Sequence, residues 1–156
     1  MSEDDGQFAA GDEETAGLVL VVVGAHHRAE AEHRPIAYML AGEVDRRVGE
    51  LGGGPPLRAL VLSDIWYLNQ PSMRARPTLS IGGPEVNALT AWAAGRVPEV
   101  FSVKDALAIH ADLEWLDLLA AVWGVDAMAT MAAAEAFSER YLDDFLRAAA
   151  RAEQTR

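Results

Sequence analysis

The sequence predicts a small α/β domain of three layers, with a mainly parallel sheet between helices and a long helix at the C-terminus. Two largely apolar runs, Leu18–Val23 and Arg58–Ser63, are typical of strands that are buried on both faces. Strand-like and helix-like segments alternate along the chain, which favours parallel strands joined by helical connections. The 156 residues, 51% of them hydrophobic, suffice for one core, since a chain of about 150 residues buries roughly 70% of its unfolded surface.

The first half of the chain has the pattern strand, helix, strand. Gly24 ends the Leu18–Val23 strand, and Pro35 suits the first turn of a helix. That helix ends at the glycines and prolines of residues 52–56, and Arg58–Ser63 follows as the second strand. The apolar positions that we expect to face the sheet recur every four residues in the helix: Ile36, Leu40, Val44 and Val48.

The middle of the chain repeats this pattern with a longer connection. Residues 64–77 are too many and too varied for an ordinary loop, and a connection of this length is often functional. Thr78–Ile81 is the third predicted strand. The motif Gly-Gly-Pro then ends the strand and begins a helix over residues 85–94.

The C-terminal half contains two weaker strand candidates, residues 100–103 and 106–110, which form either a hairpin or one bent strand. Residues 113–123 have a helical pattern that breaks at a glycine, and a last long helix is predicted over residues 126–151. Taken together, residues 18–152 are expected to form a single domain. Its general plan is flavodoxin-like or Rossmann-like.

The charge distribution sets limits on partners. The chain carries a net charge of −11, and residues 1–17 hold six acidic side chains without a basic one. We expect this segment to be a disordered acidic tail. The acidic balance argues against nucleic-acid binding, which needs a basic surface. The acidic start is unlike a secretory signal, and the apolar runs are too short to span a bilayer, so no membrane partner and a cytoplasmic location are predicted.

A ligand site is expected at the carboxyl edge of the sheet, because parallel strands present their ligands there. Four segments follow predicted strand ends: residues 24–28, 64–76, 82–87 and 110–112. They hold most of the unusual polar residues of the chain, and they supply the candidate site residues.

The candidate catalytic residues are His26, His27 and Asp64. A histidine beside a strand end can exchange protons near neutral pH, and a carboxylate can orient it or bind a ligand hydroxyl. Arg28 is a candidate for ligand binding. No metal is predicted, because the chain has no cysteine and its histidine spacing matches no zinc signature.

The candidate binding residues in the long connection are two aromatic and two amide side chains. Trp66 and Tyr67 could stack on a ring, while Asn69 and Gln70 could supply hydrogen bonds. The alternative is that the aromatic side chains pack under the loop. Arg74 and Arg76 further along could clamp a carboxylate or phosphate, or simply offset nearby acidic residues.

The glycine-rich turn and the last predicted strand complete the candidate site. Gly82 and Gly83 let a ligand approach the backbone, whose amides and helix dipole favour an oxygen-rich group. Asn87 in the same segment and His110 at the last strand end are added as binding residues. The alternative is a tight turn that only starts a helix.

Two functions follow from these patterns. The first is binding of a small polar ligand, with or without catalysis, in which the ligand is a nucleotide, nucleoside or sugar derivative; no cofactor is implied. The second is a non-catalytic interaction module that forms a homo-oligomer, because four tryptophans and five methionines offer apolar surface for assembly.

Overall fold

The computed structural model describes residues 15–52, 54 and 56–156. Residues 1–14, most of the predicted acidic tail, lie outside the described residues. The strands are β1 (Leu18–Val23), β2 (Arg58–Ser63), β3 (Thr78–Ile81), β4 (Glu99–Val103), β5 (Leu107–Ala111) and β6 (Leu119–Gly124). The helices are α1 (His27–Glu32), α2 (Arg34–Leu51), α3 (Asp64–Leu68), α4 (Pro71–Arg74), α5 (Ala88–Ala94), α6 (Ala127–Arg140) and α7 (Leu142–Gln154).

The strands form one sheet in the order β2-β1-β3-β6-β5-β4. The pairs β2-β1, β1-β3 and β3-β6 are parallel, whereas β6-β5 and β5-β4 are antiparallel. The α/β class is therefore confirmed. The mainly parallel, flavodoxin-like or Rossmann-like plan is not, because the sheet is mixed.

One strand of the sheet lies where the sequence pattern predicts a helix. Residues 119–124 lie between β3 and β5 as β6, with Leu119 and Ala120 fully packed in the interior. Their apolar alanine-rich run suits a strand covered on both faces as well as it suits a helix, and periodicity alone does not separate the two. Before β6, the Asp112 carboxylate accepts backbone hydrogen bonds from residues 114, 116 and 117 and fixes a turn.

The hairpin alternative for residues 100–110 is confirmed. Strands β4 and β5 are antiparallel neighbours joined by a tight turn in which Asp105 adopts a positive φ of 59°. The helical C-terminal segment is confirmed as well, although Tyr141 divides it into α6 and α7.

Helices cover both faces of the sheet and give the predicted three layers. Helices α2, α6 and α7 pack on one face, where Leu40, Phe137 and Phe145 are buried. Helices α3 and α5 cover the other face, where Tyr67 and Leu89 are buried. None of the helices in the described part of the chain combines the length and apolar character needed to cross a membrane.

Two edges of the sheet matter for the site. Strands β1, β2, β3 and β6 end at the carboxyl edge, at Val23, Ser63, Ile81 and Gly124. The opposite, amino edge holds the starts of β3 and β6 and the end of the antiparallel β5.

Candidate functional site

The carboxyl edge is closed by backbone segments that touch one another at glycines. A Cβ atom added to Gly24 would lie 1.7 Å from the carbonyl oxygen of Val86. A Cβ atom on Gly82, which has a φ of 106°, would lie 2.4 Å from Nδ1 of His33. The glycines after β1 and β3 thus allow close packing of the protein with itself, which is the alternative to close approach of a ligand.

Asp64 links the loops at this edge. One carboxylate oxygen accepts a hydrogen bond of 3.0 Å from the amide of Ala25, and the other accepts one of 2.9 Å from the amide of Ala88. The side chain is only 5% exposed. Asp64 therefore holds the start of α5 against the loop after β1, and both of its oxygens have protein partners.

Asn87 is bound in the same way. Its side-chain oxygen accepts hydrogen bonds from the amides of Leu89 and Thr90 and caps α5. Its side-chain nitrogen donates to the carbonyl of Ile81 at 2.9 Å. The amide of Gly82, which is predicted to bind the ligand, donates instead to the carbonyl of Val122 at the end of the sheet.

His26, His27 and Arg28 are exposed at the start of α1, next to the loop that Asp64 holds. The Nδ1 atom of His26 accepts a hydrogen bond of 3.1 Å from the amide of Arg28, and the His26 and His27 rings lie 4.2 Å apart. His26 directly follows Ala25, whose amide binds the Asp64 carboxylate. Their catalytic role stays a prediction.

The predicted binding residues on α3 separate. Trp66 is 62% exposed and faces a groove beside Leu60 and Arg34. Tyr67, its neighbour in sequence, is buried on the other side of the helix. Three further residues are dispersed: Gly83 is buried beside the Glu85 carboxylate, and Asn69 and Gln70 are exposed after α3.

His110 lies opposite Ala121, near the middle of β6. It belongs to β5, which is antiparallel to β6, so the end of β5 lies beside the start of β6 and not at the carboxyl edge. Its Nδ1 atom is 3.0 Å from the carbonyl oxygen of Val97, and its ring stacks on Trp123 at 4.8 Å. Its role in ligand binding stays a prediction.

His33 is, like Asp64, a buried titratable side chain at the carboxyl edge. It is 6% exposed, and its Nδ1 atom has no hydrogen-bond partner. Burial lowers the pKa of His33 below its ordinary value, opposed by the charges of Glu32 and Glu85. The imidazole is therefore held neutral against Gly82.

A cavity of about 630 Å³ lies on the other side of the molecule, between α3, α4 and α5 and the amino ends of β3 and β6. We name it the arginine cavity. Its apolar walls include Leu68, Leu89, Trp92 and Leu119. Its charged lining residues are Arg74, Arg76, Arg96, Asp117 and Arg156.

The charge of this lining is opposite to that of the chain. The sequence has 13 basic against 24 acidic side chains, yet four arginines and a single aspartate line the arginine cavity. Clustered guanidinium groups favour carboxylate or phosphate, which they bind through paired hydrogen bonds.

Two of the four arginines are held in place by contacts with other parts of the protein. Arg76 is buried, donates to the Thr15 hydroxyl at 3.0 Å and pairs with Glu153 at 3.4 Å. Arg156 donates to the carbonyl of Ala75 at 2.6 Å and pairs with the same Glu153 carboxylate at 3.5 Å. Two arginines thus share one carboxylate at the amino edge, where the first described residues meet α7.

The other two arginines are more accessible. Arg74 is exposed and donates to the carbonyl of Leu68. Arg96 lies on the rim, with Nε 2.6 Å from an Asp117 oxygen and its guanidinium carbon 4.7 Å from the centroid of the Trp92 ring. A ligand entering the arginine cavity would meet these two side chains first.

Tyr67 is the predicted site residue that lines the arginine cavity. Burial raises the pKa of its phenol, while a hydrogen bond with Thr78 and the charge of Arg74 act in the opposite direction. The phenol is therefore neutral near pH 7 and can donate a hydrogen bond.

Sequence reasoning missed Trp92 and Arg96 as site residues. Trp92 lies in α5 and Arg96 follows the end of that helix by two positions, and their close spacing in sequence is a usable signal because it lets the arginine lie over the indole. Asp117 is 21 positions from Arg96, and no local pattern connects the two.

Neither a related protein nor a set of metal ligands among the residues that the structure describes assigns a function to the candidate site. No protein-family model matches the chain, and no curated protein is significantly similar to it. Within residues 15–52, 54 and 56–156, no group of three or more histidine and acidic side chains is placed to hold a metal ion.

Proposed function

We propose that this protein binds a small organic anion that contains a ring, such as a nucleotide or a sugar phosphate, in the arginine cavity. The observation that carries the proposal is the convergence of four arginines on one partly apolar cavity in a chain of net charge −11. Among the predicted nucleotide, nucleoside and sugar derivatives, the ligand is one that carries an anionic group.

The size and chemistry of the arginine cavity suit such a ligand. Its volume of about 630 Å³ is within the roughly 300 to 1,000 Å³ that is usual for small-molecule sites. Apolar walls and the half-exposed Trp92 ring offer a surface for a base or sugar face. Arg74 and Arg96 offer donors for the anionic group.

A pair of variants on one helix tests the location. Ala88 and Ala91 are both exposed on α5, but Ala88 lines the arginine cavity and Ala91 does not. We expect Ala88→Trp to fill the cavity and abolish binding of AMP or ribose 5-phosphate in isothermal titration calorimetry. The matched variant Ala91→Trp should bind as wild type does.

The outcomes separate the possibilities. Binding that survives Ala88→Trp would place the ligand elsewhere, and the exposed His26 and His27 at the carboxyl edge would be the next positions to change. No binding of either anion by wild-type protein at millimolar concentration would reject the proposal.

A second function, assembly, is supported by a separate surface. Leu60 on the edge strand β2 and Trp66 on α3 are exposed apolar side chains that line one groove together with Val61, Leu62 and Met73. We propose this surface as the contact of a homo-oligomer. Native mass spectrometry tests it: Trp66→Ser should dissociate the oligomer, and a wild-type monomer at micromolar concentration would reject it.

A further inference from the structure

Arg96 is held on the rim of the arginine cavity by two contacts that resemble the two parts of the proposed ligand. Its Nε atom donates to the Asp117 carboxylate at 2.6 Å, as it would to the anionic group of a ligand. Its guanidinium lies on the Trp92 ring, at 4.7 Å from the ring centroid, where a flat ligand ring could stack instead.

We propose that Arg96 is the residue that recognises the anionic group of the ligand, and that Asp117 competes with that group for the guanidinium. This inference rests on the proposed function. A ligand carrying both a ring and an anionic group exchanges with both contacts: the anion replaces Asp117 at Arg96, and the ring takes the Trp92 face.

The exposure of the pair makes this exchange feasible. The side chain of Arg96 is 53% exposed and that of Asp117 is 32% exposed, and ion pairs in such positions are weak. Arg96 also has a long side chain anchored at the end of α5, so its guanidinium can leave Asp117 without a change in the backbone. Breaking the pair therefore costs an entering anion little free energy.

Arg74 adds positive charge to the cavity during the exchange. It lines the cavity and, among the described residues, donates to the carbonyl of Leu68 and pairs with no carboxylate, whereas Arg156 pairs with Glu153 at 3.5 Å. Arg74 attracts the anion, while the competition between Asp117 and the ligand takes place at Arg96. Arg96 thus contributes to the recognition of both the anionic group and the ring of the ligand.

Three probes divide the proposed ligand into its parts: AMP has the ring system and the phosphate, adenosine lacks the phosphate, and ribose 5-phosphate lacks the base. Isothermal titration calorimetry on the full chain gives their affinities. We expect Asp117→Asn to tighten AMP and ribose 5-phosphate by about three- to five-fold, the range of a weak surface pair, and to leave adenosine unchanged. Arg96→Gln should weaken AMP about ten-fold.

A matched control separates the local competition from total charge. Arg147 and Asp144 form an exposed pair at 3.4 Å on α7, and Arg147 is 53% exposed, as Arg96 is. Asp144→Asn removes the same charge from the chain but none from the arginine cavity. It should leave all three affinities at their wild-type values.

A double variant separates competition from a local field. If Asp117 acts by holding Arg96, its substitution gives no gain when Arg96→Gln is already present. A gain of equal size in the Arg96→Gln background would mean that Asp117 only lowers the local potential, and it would overturn the inference. Thermal melts of each variant confirm that the fold is kept.

The proposed function and the inference fail in different ways. If wild type binds AMP and Asp117→Asn leaves that affinity unchanged or weaker, the competition is rejected and the binding function stands. If wild type binds neither AMP nor ribose 5-phosphate, the binding function is rejected and the inference with it.

Discussion

The two edges of the sheet differ in what the protein does with its polar groups. At the carboxyl edge, Asp64 and Asn87 are buried and their side-chain atoms bind backbone groups of neighbouring loops. At the arginine cavity near the amino edge, Arg74 and Arg96 reach solvent. A polar side chain at a strand end can thus serve the fold, and the groups available to a ligand can lie elsewhere.

The difference has a local cause. The glycine after β1 packs against the Val86 carbonyl and the glycine after β3 packs against the His33 ring, so the protein itself occupies the space beside both glycines. The long connection after β2 instead forms α3 and α4, which stand beside α5 and enclose the arginine cavity. The space for a ligand follows the long connection, not the direction of the strands.

The largest expected effect tests the closed packing at the carboxyl edge. In Gly24→Ala the new Cβ would meet the Val86 carbonyl at 1.7 Å, so the backbone must move. We expect the free energy of unfolding in urea to fall by about 3 kcal/mol, the upper range for overpacking.

Gly42→Ala is the matched control. Gly42 lies inside α2, and an added Cβ there would meet no atom within 4 Å. Because alanine favours a helix more than glycine does, this variant should gain about 0.5 to 1 kcal/mol. Equal effects of the two substitutions would show that the carboxyl edge is not tightly packed.

The next largest effect concerns Asp64. Asp64→Ala leaves the partly buried amides of Ala25 and Ala88 without their partner, and we expect a loss of about 2 kcal/mol in the free energy of unfolding. Asp45→Ala is the control, since exposed Asp45 accepts a single amide bond, from Ala59, and should lose less than about 1 kcal/mol.

Binding separates the two edges further. Folded Asp64→Ala protein should bind AMP with wild-type affinity, measured by calorimetry below the melting temperature. If a folded Asp64→Ala variant no longer binds AMP, the ligand binds at the carboxyl edge, as the sequence predicts.

Local patterns were sufficient for the parts of the fold that local interactions decide. Continuous apolar runs identified β1, β2 and β3, and Asp64 and Asn87 were recognised as unusual because both follow strand ends. The sequence predicts a catalytic role for Asp64 and ligand binding for Asn87, but a polar side chain near a glycine at the start of a helix is also typical of a helix cap, which Asn87 is.

Partners distant in sequence decided the rest. Residues 119–124 become a strand because β3 and β5 flank them, and β5 is antiparallel to β6 because only the short turn over residues 112–118 joins the two. The direction of β5 in turn places its carboxyl end at the amino edge of the sheet. The pairing of Arg96 with Asp117 depends on the same turn before β6, so no pattern near Arg96 could reveal it.

A smaller effect is expected at the arginine cavity. Trp92→Ala removes a half-exposed ring that the ligand is proposed to contact, so AMP affinity should fall about ten-fold, or about 1.4 kcal/mol, with little change in stability. Trp66→Ala is the matched control, because Trp66 is 62% exposed but outside the cavity. Equal losses in both variants would contradict the assignment of the site.

The smallest expected effect is a dependence of stability on pH at His33. Burial lowers the pKa of this imidazole in the folded protein, whereas in the unfolded chain it has its ordinary value of about 6.5. The unfolded state therefore takes up the proton first as the pH falls, so the contribution of His33 to stability is complete above about pH 6.5 and decreases below it. In His33→Gln this part of the slope disappears. Urea unfolding between pH 7.5 and pH 5.5 measures it, and identical slopes for wild type and variant would show that the protein accommodates a charged imidazole against Gly82.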